Sequence, residues 1–251
     1  SKVARRLTPW SVLFPRQPSL EPSRSTSDSH RRVERIEGLG LTLGLIDYGM
    51  GNLHSVETAF LRLSQPCQLV RSSADLNNCD ALILPGVGSF DPAMENLGST
   101  GLIPDLQDWA RHNKPLLGIC LGLQLLFESS SEGQLDGLGL IPGHVESLPE
   151  NQGERIPHMG WAPLDLRHPS PLLREQQPVP WMYFVHSYAA VPARQDSLAA
   201  TTRFGDRDIT AMVWQNRIGA CQFHPEKSSD DGSALLKNWL QWLDRGAPCE
   251  P

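Results

Sequence analysis

The chain has 251 residues, of which 39% are hydrophobic and 20% are charged, a composition typical of a globular α/β domain. No apolar run reaches the roughly 20 residues that a membrane-spanning helix needs, so we expect no membrane association. Outside residues 1–38 the chain holds 14 basic and 24 acidic side chains, a net charge near −10. So acidic a body offers little surface to neutralise phosphates, which disfavours nucleic-acid binding.

Residues 1–38 differ in texture from everything that follows. They mix Arg, Ser and Pro without helical or strand periodicity, which predicts a disordered N-terminal extension. A transit peptide is the alternative because such peptides are rich in Arg and Ser, but four acidic residues count against it. We expect one domain at residues 39–246 and a short C-terminal tail at residues 247–251.

Three apolar runs in the first half predict buried strands, each followed by a helical pattern. Residues 41–46 precede a glycine-bearing turn and a helix with apolar positions 56, 59, 60 and 63. Residues 81–84 are followed by a helix with apolar positions 102, 106 and 109. Residues 115–119 lead into a helix from residue 121 to about residue 128. This alternation predicts a single α/β domain with a mostly parallel central sheet flanked by helices, similar to flavodoxin.

The second half is richer in strands, which we predict at residues 161–166, 181–185, 198–204 and 209–214. Gln215-Asn216 predicts a hairpin turn into the apolar residues 218–223. An amphipathic helix over residues 233–243 closes the domain.

Cys120 carries the central chemical signal, because it lies between Gly118 and Gly122, after an apolar strand and before a helix. This arrangement is typical of a nucleophile elbow. The tight turn strains the backbone of the nucleophile, and glycines on either side avoid clashes. N–H groups at the start of the following helix would favour the thiolate. For this residue taken alone, a buried structural cysteine is the alternative.

A cysteine nucleophile needs a base, because a thiol with an ordinary pKa of about 8.5 is barely ionised at neutral pH. His224 follows an apolar strand, and Pro225 prevents that strand from pairing further. His224 and Glu226 are two residues apart, so in extended chain their side chains project to the same side. The carboxylate would then orient the imidazole as the third member of a triad. A solvated loop histidine beside an exposed glutamate is the alternative.

Two further segments fit the same pocket. Pro85-Gly86-Val87-Gly88 follows a strand, and its glycines would let backbone N–H groups face an oxygen that becomes negative during acyl transfer. Gln124 lies one helical turn after Cys120, on the same face. An ordinary loop and an ordinary helical glutamine are the alternatives. Cys221 is a rival nucleophile, but it lies between Ala220 and Gln222 in an apolar strand, with no glycine elbow, so core packing suits it better.

The five cysteines are odd in number and scattered, with no C-x-x-C pair. This spacing indicates neither a disulfide framework nor a zinc site. We therefore expect no metal and no cofactor, and a reducing, cytoplasmic location.

The segments 118–124 and 224–226 resemble the class I, or triad, glutamine amidotransferases. The finer resemblance is to the glutaminase subunits of imidazole glycerol phosphate synthase, from histidine biosynthesis. It covers residues 41–243 and rests on residues 46–56, 84–88, 157–161, 183–188 and 222–228. The segments 157–161 and 183–188 separate this family from relatives that serve purine, pyrimidine or anthranilate synthesis.

The resemblance implies that Cys120 attacks the side-chain amide of glutamine, and that His224, paired with Glu226, protonates the departing ammonia. A glutamyl thioester forms and is hydrolysed to glutamate. The N–H groups of Val87 and Leu121 would form the oxyanion hole. The positions implied to bind substrate are Gly86, Val87, Gly88, Leu121, Gln124, Glu132, Ser187 and Tyr188.

The resemblance also implies a heterodimer with a cyclase subunit, through whose barrel the ammonia travels. That subunit joins the nitrogen to a ribulosyl nucleotide, giving imidazole glycerol phosphate and an aminoimidazole carboxamide ribotide. The positions implied to lie near the contact are Asn52, Trp161, Tyr183 and Lys227.

Two departures stand out. Leu123 replaces the usual Met, which conserves volume, and Ala162 replaces the usual Asn, which we expect to weaken docking or signalling.

Three alternatives remain open at this stage. An amidotransferase subunit for another synthase is one, although residues 157–161 argue against it. A stand-alone thiol hydrolase acting on γ-glutamyl compounds is the second, and it predicts high activity without a partner. The third is a non-catalytic docking module in which the triad residues persist unused.

Overall fold

A computed structural model of the chain describes residues 40–150, 153–173 and 178–249. The predicted extension at residues 1–38 lies outside these described residues. Within the described ranges, no helix is both long enough and apolar enough to cross a membrane.

Helices and strands alternate in the first half, as predicted. The strands there are β1 (Leu43–Ile46), β2 (Cys67–Val70), β3 (Ala81–Gly86) and β4 (Leu116–Cys120). The helices are α1 (Leu53–Arg62), α2 (Ser73–Leu76), α3 (Phe90–Ser99), α4 (Ile103–Arg111) and α5 (Leu121–Leu125). The second half holds β5 (Ser129–Ser130), β6 (Gly143–Ser147), β7 (His158–Pro163), β8 (Asp165–Leu166), β9 (Trp181–His186), β10 (Tyr188–Pro192), β11 (Leu198–Phe204), β12 (Arg207–Gln215), β13 (Ile218–Cys221) and α6 (Ser229–Asp244).

The central sheet has eight strands in the order β2-β1-β3-β4-β13-β12-β11-β8. The first five are mutually parallel, and the last three continue the sheet in antiparallel pairs. The predicted α/β fold with a mostly parallel sheet is therefore confirmed. A smaller sheet, β10-β6-β5, and the antiparallel pair β7-β9 lie beyond the central sheet.

Alternate residues of the central strands supply two hydrophobic layers, because successive side chains point to opposite faces of a sheet. On β3, Ala81 and Ile83 pack in the layer that contains α1 and α6. Leu82 and Leu84 pack in the layer that contains α3 and α4. Burial on both faces explains why the parallel strands read as continuous apolar runs.

Four details differ from the sequence-based expectations. Helix α5 ends at Leu125, because the carbonyls of Leu125 and Leu126 accept hydrogen bonds from loop N–H groups at 2.8 Å. The strand predicted at residues 161–166 is split, since β7 pairs with β9 while β8 pairs with β11. The hairpin turn begins one residue later, at Asn216, whose φ of 56° suits a tight turn. Ala247, in the predicted tail, is buried in the core.

Candidate active site

The nucleophile elbow joins the end of β4 to the start of α5. Cys120 has φ 55° and ψ −112°, a conformation that side-chain-bearing residues rarely adopt. Its side chain is buried, with the residue 7% exposed. Non-glycine residues held in such a conformation cluster at functional sites, where the surrounding structure compensates the strain.

Close backbone packing explains the two glycines beside the nucleophile. A Cβ at Gly122 would lie 1.8 Å from the carbonyl oxygen of Leu84 on β3. A Cβ at Gly118 would lie 3.0 Å from the Cβ of Ala220 on β13. The elbow is thus wedged between its two neighbouring strands, and Gly122 is the position with no room for a side chain.

The Pro85–Gly88 turn lies directly against the nucleophile, because Gly86 pairs with Cys120 in the β3–β4 ladder. Tyr48, after β1, donates its hydroxyl to the Pro85 carbonyl at 2.8 Å and so holds the turn in place. Burial, together with the nearby Cys120, raises the pKa of Tyr48 well above its usual value, so this hydroxyl stays protonated. Gly88 has φ 103°, which only glycine adopts readily.

His224 reaches the elbow because β13 runs parallel to β4 and pairs Cys221 with Ile119. The segments after β4 and β13 therefore leave the sheet at the same edge. His224 Nδ1 lies 2.7 Å from Glu226 Oε1, and the two side chains are only 3% and 2% exposed. The N–H of His224 donates to the Tyr183 carbonyl on β9 at 2.9 Å, which anchors the histidine loop from the opposite side.

The charge state of His224 follows from its two partners. Burial alone would lower its pKa, but hydrogen bonds to Cys120 and Glu226 outweigh burial and raise the pKa to about 9. Because Glu226 occupies Nδ1, Nε2 is the nitrogen that faces the sulfur. At neutral pH the imidazole is therefore protonated and able to give a proton to a leaving group beside Cys120.

A cavity of about 340 Å³ opens in front of Cys120, within the range of small-molecule sites. The structure brings these predicted residues together in its lining: Val87, Gly88, Cys120, Leu121, Gln124, Glu132, Ser187, Tyr188 and His224. Gly86 is not part of the lining and lies in β3 behind the turn, and Glu226 lies behind His224.

Two predicted substrate-binding residues are already held by the protein. Gln124 Nε2 donates to the Tyr188 carbonyl at 3.2 Å and to Gln222 Oε1 at 3.1 Å. Glu132 Oε2 accepts from the N–H of Phe90 at 3.0 Å, at the first residue of α3. A carboxylate is favourable there because helix N-termini present unpaired N–H groups.

Sequence reasoning did not single out His186, which lies in the cavity wall, or its neighbour His158. His186 lines the cavity; its Nδ1 lies 2.8 Å from the Tyr188 carbonyl, and its Nε2 lies 3.1 Å from His158 Nδ1. Burial lowers the pKa of His186 to about 3, so the ring is neutral. Both histidines fall in segments quoted for the resemblance, 157–161 and 183–188.

The predicted partner-contact residues do not all share one environment. Trp161 is half-exposed and packs edge-on against Tyr183, with ring centroids 6.1 Å apart. Lys227 is exposed. Asn52 uses its side chain to cap α1, accepting from the N–H of Ser55 at 3.4 Å. Ala162 is buried in the core, on the face of β7 opposite Trp161.

The fold and the site together define a glutamine amidotransferase of class I. The family model "Glutamine amidotransferase class-I" matches residues 44–242. Among solved structures, one described as a glutamine amidotransferase aligns with a TM-score of 0.62 at 22% identity, covering 80% of this chain and 97% of that one. PurLQS from Thermotoga maritima aligns with a TM-score of 0.63 at 18% identity, covering 81% and 99%.

Sequence relatives narrow the class further. Imidazole glycerol phosphate synthase subunit HisH 2 of Parasynechococcus marenigrum (strain WH8102) is 70% identical over 211 residues, covering 84% of this chain and 99% of the relative. The HisH subunit of Synechococcus sp. (strain CC9902) is 64% identical over 209 residues, covering 83% and 98%. The chain belongs to the HisH family of class I glutamine amidotransferases.

Proposed function

We propose that this chain is the glutaminase subunit of imidazole glycerol phosphate synthase in histidine biosynthesis, hydrolysing glutamine to glutamate and ammonia. One observation carries the proposal: a strained, buried cysteine shares one cavity with a histidine that is itself paired with a buried glutamate. We assign Cys120, His224 and Glu226 as the catalytic triad.

The first half of the reaction forms a thioester. The Cys120 thiolate attacks the side-chain amide carbon of glutamine, and the N–H groups of Val87 and Leu121 stabilise the oxygen that becomes negative. His224 Nε2 then transfers its proton to the amide nitrogen, so the C–N bond breaks and ammonia leaves. Glu226 keeps the imidazole in the required orientation and stabilises its positive charge, as their 2.7 Å contact supports.

The second half returns the enzyme to its starting state. His224, now neutral, accepts a proton from a water molecule as that water attacks the thioester carbon. The C–S bond breaks, glutamate leaves, and the sulfur is again a thiolate beside a protonated imidazole. We assign glutamine binding to the cavity residues Gln124, Glu132, Ser187 and Tyr188, with Gly86 and Gly88 shaping the turn that carries the oxyanion donor.

The partner in this proposal is a cyclase subunit that receives the ammonia in a heterodimer and completes the lyase reaction. An exposed apolar patch supports a protein partner: Met159, Trp161 and Trp181 are 62%, 50% and 51% exposed on the β7–β9 pair. Trp161, Tyr183, Lys227 and Asn52 are the contact positions we propose.

We further propose that the catalytic domain runs from residue 39 through the buried Ala247, with residues 1–38 outside it, and that the protein works in the cytoplasm. The family match over residues 44–242 supports the boundaries. The five free cysteines support a reducing compartment.

Replacing the nucleophile tests the proposal directly. Cys120→Ala is expected to lower glutamine hydrolysis by about 10⁴-fold or more, because no other group forms the thioester. Glutamate release is measured with the cyclase and its nucleotide present, and binding of the cyclase is measured by titration calorimetry. Binding is expected to persist, because Cys120 is only 7% exposed and offers little surface to a partner.

Cys221→Ala is the matched control, since it removes the neighbouring buried thiol from β13 and leaves the elbow intact. It is expected to retain most of the turnover. Equal losses in both variants would contradict the triad. Full activity of the wild-type chain without any partner would instead favour a stand-alone γ-glutamyl hydrolase, and activity only with a different synthase would favour another amidotransferase.

A further inference from the structure

Gln222, which the sequence analysis left without a role, lies directly beneath the nucleophile. It follows β13 and is completely buried. Its Nε2 lies 3.9 Å from Cys120 Sγ, a long contact for a hydrogen bond to sulfur. A fully buried amide side chain is costly unless its polar atoms are hydrogen-bonded, so the Gln222 amide is expected to adopt the orientation that its neighbours can pair. That orientation decides whether the oxygen or the NH₂ group faces the sulfur.

The direction of the Gln222 amide is set by a backbone carbonyl two steps away. The Tyr188 carbonyl can only accept a hydrogen bond, so the end of Gln124 that lies 3.2 Å from it must be the NH₂ group. The same nitrogen lies 3.1 Å from the Gln222 side chain, which must therefore present its oxygen. The remaining end of Gln222, the end that faces the sulfur, is then its NH₂ group.

A hydrogen-bond donor that faces the sulfur favours one protonation state of Cys120 over the other. An N–H group facing the sulfur stabilises the thiolate, whereas an oxygen would accept from S–H and stabilise the thiol. We propose that Gln222 is a thiolate-stabilising donor to Cys120, and that Gln124 and the Tyr188 carbonyl hold it in the donating orientation. Its catalytic meaning rests on the glutaminase function proposed above; the hydrogen-bond relay itself does not.

Four other titratable side chains lie around the Cys120 sulfur. His224 approaches from the loop after β13, with Glu226 behind it. Tyr48 approaches from the turn after β1, and Cys221 lies in β13. Burial raises the pKa of the Tyr48 hydroxyl and of the Cys221 thiol, so both are neutral. Changing Gln222 to an apolar residue therefore removes the N–H donor without adding or removing an ionisable side chain.

The test measures the thiol itself, without glutamine. Iodoacetamide alkylation of Cys120 is followed from pH 5 to 10 by mass spectrometry of its peptide, in the full chain bound to its cyclase. In Gln222→Leu the midpoint of the pH profile is expected to rise by about one pH unit, and kcat to fall about tenfold, as for loss of one charge-assisted hydrogen bond. Gln222→Glu keeps the shape and places acceptor oxygens at the sulfur, so its midpoint is expected to rise further.

Gln65→Leu is the matched control, since Gln65 is also a buried glutamine and bonds the Leu41 carbonyl at 3.0 Å, before the start of β1. It is expected to leave both the alkylation midpoint and kcat unchanged. A Gln222→Leu protein with a raised KM and an unchanged midpoint would overturn the proposal, because Gln222 would then only brace Gln124. If Gln222→Leu fails to fold, an unchanged midpoint in Gln222→Glu overturns it equally. An inactive wild-type complex would refute the glutaminase function, yet the alkylation profile would still decide the relay.

Discussion

The elbow and the wall that faces it across the cavity are built by different means. The elbow is made by consecutive residues, 118–122, pressed between β3 and β13 at the edge of the central sheet. The wall combines the end of β9, the start of β10 and the histidine loop after β13, which belong to three different sheets. Sequence neighbours determine the first, and long-range hydrogen bonds determine the second.

The elbow is therefore expected to be rigid, whereas the wall that faces it can adjust. Backbone atoms of β3 approach Gly122 so closely that the elbow has one permitted shape. The wall is held by individual contacts, such as the His224 N–H to the Tyr183 carbonyl at 2.9 Å. Tyr183 also packs against Trp161 on the proposed docking patch, so an event at the partner surface has a short physical route to His224, the proposed catalytic histidine.

Gly122→Ala should break the elbow side of this comparison. The new methyl would lie 1.8 Å from the Leu84 carbonyl oxygen, where two backbone segments would have to separate. We expect a loss of about 3 kcal/mol or more in the free energy of unfolding, at the upper end for overpacking. Urea unfolding followed by circular dichroism measures it.

Gly98→Ala is the control for that substitution. Gly98 lies in α3 and its added Cβ would meet nothing closer than 3.7 Å. Alanine favours helix over glycine, so we expect a gain of about 0.5–1 kcal/mol. Similar effects of the two substitutions would show that the elbow yields to a side chain, which is incompatible with one permitted shape.

The same contrast explains which features the sequence predicted. Strands β1, β3 and β4 and the elbow were predictable because apolar runs and glycine spacing are local signals. Helix α3 was missed, since Pro92 and Gly98 interrupt its pattern. Strands β5, β6 and β10 were also missed; Ser129–Ser130 is too short for any periodicity, and its pairing with β6 is a tertiary contact.

At the site, sequence patterns alone predicted Cys120 as nucleophile, His224 as base and Glu226 as the carboxylate that orients it. The assignments of Glu132, Ser187 and Tyr188 came from family resemblance, because nothing in their local sequence indicates a pocket. Gln222 falls in the resemblance segment 222–228, but nothing in the sequence indicated a role for it. The role proposed above depends on the orientation of its side-chain amide, which the Tyr188 carbonyl determines through Gln124.

On the wall side, Glu226→Gln tests the charge that holds His224. The pKa of His224 is raised to about 9 in the folded chain, above its usual 6.5. The resulting stabilisation is therefore complete below about pH 6.5 and is lost as the pH rises through 9. Glutamine keeps a hydrogen-bond acceptor for Nδ1 but removes the negative charge, so the His224 pKa is expected to fall.

The measurement compares urea unfolding of the wild type and Glu226→Gln at pH 6.5 and pH 9.5. We expect the wild type to lose on the order of 2 kcal/mol more than the variant over this interval. Turnover of the variant at pH 7.5 should fall by about 10²-fold, because less imidazolium is present to protonate ammonia. If the free energy of unfolding depends on pH equally in the two proteins, Glu226 does not raise the pKa of His224.

Trp161→Ala sharpens the comparison at the outer surface of the wall. The ring is half-exposed on β7, and large aromatic side chains of this kind dominate the binding free energy of many interfaces. We expect the Kd for the cyclase to rise about 30-fold, and the free energy of unfolding to fall by about 1 kcal/mol or less through loss of the Tyr183 contact. Leu61→Ala, which trims a side chain 60% exposed on α1, should change neither quantity by as much. If both variants bind the cyclase like the wild type, the patch on β7 and β9 is not the docking surface. Binding of the cyclase would then not act on His224 through Trp161 and Tyr183.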